Sequence, residues 1–156
     1  MQFNRRQFLQ TSGFALGATL LPTQHLLKTL FAPAGEVKLL RNNVGIFTER
    51  GGTIAWLIDN QGIVVVDTQF PEQAGHLIEE IRKQSDRTID LLINTHHHGD
   101  HSGGNIAFKG MVNKVVAHQN SKANQERVAK AANREDTQLY PDTTYETTWS
   151  QKVGNE

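Results

Sequence analysis

Four histidines and an aspartate fall within six consecutive positions: His96, His97, His98, Asp100 and His101, with Gly99 between them. The neutral imidazole nitrogen is the commonest metal ligand near pH 7. Aspartate adds a hard, negatively charged oxygen, and zinc accepts both donor types. The chain has no cysteine, which excludes thiolate metal sites, disulfides and a cysteine nucleophile. The formal net charge is zero, so no basic footprint points to nucleic acid.

The elements that must carry these residues flank them. Ile89-Asp90-Leu91-Leu92-Ile93 is short, apolar and β-branched, and reads as a buried strand. The histidines then leave its carboxyl end, where open α/β sheets place their sites. Alternation along an extended segment puts His96 and His98 on one face and turns His97 away. Gly99 permits a sharp turn, so Asp100 and His101 are placed to serve a second metal beside the first. Gly103 and Gly104 let the backbone pass close to the site, and a new element starts at Asn105.

Thr95-His96-His97-His98-Gly99-Asp100-His101-Ser102-Gly103-Gly104 resembles the T-H-x-H-x-D-H-x-G-G signature of the metallo-β-lactamase superfamily. The resemblance implies an α/β (α+β) fold, the αββα sandwich, of which this chain carries the N-terminal half from about Val37 onward. It implies one or two zinc ions, His96 and His98 holding the first and Asp100 and His101 the second. Zinc lowers the pKa of bound water toward ~7, so the implied activity is hydrolysis of a small-molecule substrate by a metal-bound hydroxide. Asp100 would also orient that hydroxide, which makes it the candidate catalytic residue. Asp67, at the end of the run Ile63–Val66, matches a family aspartate that lies below the metal site and orients its loop. The alternative for Asp67 is a cap on the following helix. The family's usual residue after Thr68 is glycine; here it is Gln69.

The family resemblance also narrows the subclass. His101 replaces the Arg or Cys of one β-lactamase group, and His98 stands where the related di-iron flavoproteins use Glu. Glyoxalase-II-like thioesterases, lactonases, alkylsulfatase-like enzymes and His101-type β-lactamases remain. A mono-iron, sulfur-oxidising dioxygenase of the same fold is the alternative activity, and a truncated, non-catalytic protein is the third reading. The resemblance places a third histidine, a bridging aspartate and a last histidine farther along. The sequence to Glu156 holds none of them, so either the chain is the first part of a longer frame or it is a truncated product. On either account the isolated chain is expected to bind metal weakly and turn over little substrate.

Residues 1–34 read as a targeting segment. Asn4-Arg5-Arg6-Gln7-Phe8-Leu9 resembles the twin-arginine export signal, an apolar stretch runs from Thr11 to Leu21, and Ala32-Pro33-Ala34 is an A-x-A cleavage site. The apolar stretch is too short for a membrane span. Export through the twin-arginine translocase implies a periplasmic or secreted protein, membrane-anchored if the segment stays uncleaved. Residues 35–156 then form one domain with 13 basic and 16 acidic residues, a net of −3. The oligomeric state is left open.

The rest follows from periodicity. Strands are expected at Val37–Arg41, Val44–Arg50, Thr53–Ile58 and Ile63–Val66, the last buried on both faces. A helix is expected from Pro71 to Gln84, with Ala74, Leu77, Ile78 and Ile81 as its apolar face and His76 on its surface. A short helical turn at Asn105–Phe108, a strand at Val112–Ala117 and a polar helix at Gln119–Ala132 complete the middle, that helix resting on a stripe of Ala123, Val128 and Ala131. His118 is either a metal ligand or a strand-end residue. Thr143–Val153, rich in threonine and aromatics, reads as one edge strand, followed by a hairpin turn at Gly154-Asn155.

Overall fold

The computed structural model of the chain describes residues 35–154; the expected export segment 1–34 lies outside them, as does Asn155 of the expected hairpin turn. The described chain forms one seven-stranded sheet whose strands lie in sequence order. Strands β1 (Glu36–Arg41), β2 (Val44–Thr48), β3 (Thr53–Asp59) and β4 (Gly62–Val66) form an antiparallel meander. From β4 onward the pairing is parallel, through β5 (Ile89–Asn94), β6 (Val112–His118) and β7 (Thr143–Tyr145). The change of direction at β4 follows from its connection. Helix α1 (Pro71–Arg82) crosses back over the sheet, as a parallel neighbour requires.

Helix α1 starts on Pro71, whose missing N–H is no loss in the first turn. Ala74, Leu77, Ile78 and Ile81 all face inward, as their spacing predicts. They meet Ile54, Trp56, Ile63, Val65, Leu92 and Val115 from the sheet and Phe108 from a 3₁₀ segment, Gly103–Phe108. Burial of each large side chain in this layer stabilises the fold by roughly 2 kcal/mol. The opposite face is thinner. Leu57, Leu91, Val116 and Val153 are buried there, with Val44, Val64, Ile93 and Trp149 half-covered. Strand β4 is therefore fully covered only on the α1 side: Ile63 and Val65 have no exposure, while Val64 and Val66 stay half-buried. One sheet with helices and a second face carrying a partial layer is an incomplete αββα sandwich.

Two expectations fail locally. Only Thr143–Tyr145 of the stretch Thr143–Val153 is strand. The rest leaves the sheet edge, because Trp149 and Val153 turn their side chains onto the thin apolar face instead of continuing the ladder. Helix α3 (Gln119–Ala131) buries Ser121, Gln125 and Ala129, and Ala123, Val128 and Ala131 are exposed. Its contact face is polar because Gln125 donates to Asn94 at 3.2 Å, under the histidine loop. The helical turn after the histidines also begins earlier than Asn105, as helix α2 (Gly99–Ser102) running into the 3₁₀ segment.

Candidate metal centre

The β4–α1 loop grips the histidine loop with three successive residues. Asp67 is buried and lies at φ +65°, a left-handed conformation. One carboxylate oxygen accepts the Thr95 N–H at 2.8 Å. The other accepts the Thr95 hydroxyl at 2.7 Å and Nδ1 of His101 at 2.8 Å. Thr68 donates its N–H to the His101 carbonyl at 2.9 Å, and its hydroxyl lies within reach of that carbonyl and of Asn105 Oδ1. Gln69 accepts the Gly104 N–H at 2.8 Å. Beneath the loop Asn94 and Asn105 exchange side-chain hydrogen bonds at 2.8 and 2.9 Å. Asn105 also reaches the Leu139 carbonyl.

These bonds decide which imidazole atoms are free. A carboxylate only accepts, so His101 donates from Nδ1, and in the neutral ring the lone pair then lies on Nε2. The Thr95 hydroxyl spends its proton on Asp67, so it accepts from Nδ1 of His96, 3.1 Å away. His96 is thereby left with a bare Nε2 as well. One carboxylate thus sets the tautomer of two histidines, which is what a metal-ligating imidazole requires of its other nitrogen. Helix α1 is capped at Phe70 without a side-chain hydrogen bond. The carboxylate of Asp67 goes to the histidine loop, and the capping alternative falls away.

The four candidate ligands lie close in neighbouring pairs. The His96 ring centroid lies 4.0 Å from that of His101 and 4.7 Å from that of His98. Asp100 Oδ2 is 3.6 Å from His101 Nε2. His97 stands 6.4 Å from His96 but also 4.7 Å from His98. His96 and His98 are thus neighbours and His97 turns to another surface, as alternation predicts, although β5 itself ends at Asn94. Burial lowers the pKa of His97, reinforced by His98, His96 and Arg127. His97 lines a cleft of about 480 Å³ with Ser102, Ile106, Gln125, Val128 and Arg134, and none of the four candidate ligands reaches it. The donor types and the two freed Nε2 atoms fit zinc. Among the described residues, however, no three His, Asp or Glu side chains are arranged to hold an ion together.

The other histidines have separate work. His118 Nδ1 accepts the Asn120 N–H at 3.1 Å and caps α3, and its Nε2 donates to the Glu146 carbonyl at 2.6 Å. With both nitrogens engaged, it holds the start of α3 to the segment after β7. His76 binds Glu49 at 2.9 Å, and that hydrogen bond raises its pKa above 6.5 against a smaller opposing effect of burial. A raised histidine pKa adds stability below the unfolded value, and that stability is lost as pH rises through the folded value. We expect His76→Gln to cost about 0.5 kcal/mol at acidic pH and nothing at pH about 9, read from urea unfolding across that range. A pH-independent difference would rule out the ion pair as its source.

The sequence leaves unread the grip of Thr68 and Gln69 and the Asn94–Asn105–Gln125 network. Its signal is faint: polar residues at strand ends and on a helix, where turns and caps are the ordinary explanation.

Known proteins share these elements. A family model described as the metallo-beta-lactamase superfamily matches residues 48–140. Over 54 residues the chain is 36% identical to the mitochondrial hydroxyacylglutathione hydrolase of Saccharomyces cerevisiae, covering 35% of this chain and 15% of that enzyme. A metallo-beta-lactamase from Pontibacter korlensis superposes with a TM-score of 0.57 at 22% identity, over 77% of this chain and 56% of that one. The Rm3 metallo-beta-lactamase gives 0.52 at 26% identity, over 59% of this chain and 36% of that one. The chain thus spans 15% of the yeast hydrolase and 36% and 56% of the two solved structures.

Proposed function

The chain belongs to the metallo-β-lactamase superfamily, whose family model spans residues 48–140, and from that premise we propose that it supplies half of the metal site of a zinc-dependent hydrolase. The observation that carries the reading is the hydrogen-bond network that radiates from Asp67 and orients His96 and His101, with His98 beside His96 and Asp100 beside His101. His96 and His98 would hold one ion, and Asp100 and His101 would face a second. When bound, zinc acidifies water and stabilises negative charge developing on an electrophile's oxygen. The residues of the chain do the positioning. Asp67 fixes two imidazoles, Thr68 and Asn94 hold the His101 carbonyl in place, and Asp100 offers a carboxylate beside His101 that would accept a proton from an attacking water.

The substrate is a small molecule with a hydrolysable, electrophilic centre. By their names the relatives above are a hydroxyacylglutathione hydrolase and metallo-beta-lactamases, and the chain shares their fold. The export reading rests on the twin-arginine-like run Asn4–Leu9, the apolar stretch Thr11–Leu21 and the A-x-A site Ala32-Pro33-Ala34.

Zinc titration of the stripped full chain tests the proposal. Catalytic zinc ordinarily takes three protein ligands, and two per ion are expected to give a dissociation constant no tighter than about 1 μM. His96→Ala and His101→Ala are each expected to weaken binding at least about tenfold. Zinc binding that is indifferent to both substitutions would sink the reading.

A further inference from the structure

Gln69 carries two costs that a glycine at the same position would escape. Its φ is +50°, a left-handed conformation that side chains other than glycine rarely adopt. It is fully buried, and its Oε1 has no hydrogen-bond partner. Buried polar atoms are normally satisfied, so the position holds glutamine for something its other atoms do.

Those atoms join three separate segments. The side-chain Nε2 donates to the Gly52 carbonyl at 2.7 Å and reaches the Phe47 carbonyl at 3.5 Å. Both acceptors belong to the hairpin between β2 and β3. The Gln69 carbonyl accepts the Gly104 N–H, just past the histidine loop. The hairpin turn is also one wall of the metal centre. A Cβ built on Gly51 would stand 3.2 Å from Asp100 Cβ and 2.7 Å from the Phe70 ring. One built on Gly52 would stand 3.3 Å from the Asp100 carbonyl and 3.9 Å from His101 Cε1. The turn therefore lies beside the two residues expected to face the second ion, and a side chain on Gly51 would run into the Phe70 ring and crowd Asp100.

We propose that Gln69 is a positioning residue: its amide latches the β2–β3 turn against Asp100 and His101 and thereby sets how tightly the centre takes metal. The latch is a neutral N–H donor on a backbone carbonyl, so it holds the wall without adding charge beside the ligands. This inference rests on the zinc reading above for its second half, while the latch itself stands on the geometry alone.

Two variants of the full chain test it. Gln69→Gly removes the latch and relieves the backbone. Gln69→Met removes the latch and keeps the volume, so it guards against a cavity effect. Hydrogen exchange of the metal-free proteins reads the latch, and Zn²⁺ titration of the same samples reads the centre. We expect the amides of residues 50–53 to exchange about tenfold faster in both variants, with the rest of β3 (residues 54–59), β4 and β5 unchanged, and the zinc dissociation constant to rise about tenfold. Unchanged exchange at residues 50–53 would overturn the latch whatever the zinc result. Faster exchange there with unaltered zinc affinity would overturn the positioning role. A uniform acceleration across the sheet would reduce Gln69 to an ordinary stability residue and overturn the proposal too. If the unsubstituted chain takes up no zinc, the proposed function fails and the positioning role with it, and the exchange data still decide the latch.

Discussion

Asp67→Ala is expected to destabilise the chain by about 4 kcal/mol and to abolish zinc binding. The carboxylate receives the Thr95 N–H, the Thr95 hydroxyl and His101 Nδ1. Alanine leaves all three donors without that acceptor at a buried position, and it must also take up a φ of +65°. Asp67→Asn separates these effects. Asparagine tolerates the left-handed backbone and keeps the size, but its amide accepts with one oxygen only. We expect about 2 kcal/mol and a zinc affinity reduced about 30-fold, because either Thr95 or His101 loses its acceptor. Urea unfolding and zinc titration of the two variants check both figures. An alanine variant within about 1 kcal/mol of the parent would mean that the loop holds its shape without Asp67, and that this carboxylate is not what organises the centre.

Gly104→Ala is expected to cost about 3 kcal/mol or to prevent folding, whereas Gly103→Ala, one residue earlier, is expected to change stability by less than about 0.5 kcal/mol. Both glycines lie in helical backbone, where alanine is intrinsically favoured by about 1 kcal/mol. Space decides the sign. A Cβ at Gly104 would fall inside contact distance of the Thr68 carbonyl and 2.9 Å from both the Phe70 carbonyl and Ala74 Cβ. Two of those three neighbours are backbone and cannot swing aside. A Cβ at Gly103 would meet the Gln69 carbonyl at 3.5 Å, an ordinary contact. Thermal unfolding of the pair is decisive: equal melting temperatures would refute the close approach of the 3₁₀ segment to the β4–α1 loop.

Much of the fold is legible in the sequence because burial leaves a period. Ala74, Leu77, Ile78 and Ile81 repeat at helical spacing and all lie inside. Ile54, Trp56, Ile63 and Val65 sit in strands whose limits match the apolar runs to within a residue or two. Thr143–Val153 misleads because strand propensity describes a fit to a half-buried pleated surface. Trp149 and Val153 find such a surface by folding over the sheet instead of joining it. The contact face of α3 misleads for a related reason. A hydrophobic stripe is the usual sign of burial, and Ser121 and Gln125 are buried by hydrogen bonds. At the site, residue types single out the candidate ligands as a set. Neither the bend at Thr95–His98 nor the left-handed backbone of Asp67 and Gln69 has a sequence signal when the residues are not glycine. The same holds for Asp67's choice between two histidines and a helix cap, which only the folded chain decides.

The bonds that shape the histidine loop join residues far apart in sequence: Asp67 to Thr95, Asp67 to His101 and Thr68 to Asn105, across 28, 34 and 37 positions. No stretch of the loop can adopt its folded form by itself. Contacts of that range must first overcome the entropy of closing the chain between them, and they form late in folding. The crossover through α1 has to bring β4 beside β5 before either imidazole acquires its tautomer. The order of events is then set by topology: an early, unfolded chain offers only scattered imidazoles and carboxylates, and the donor set that the proposed ion would need exists only once the crossover closes.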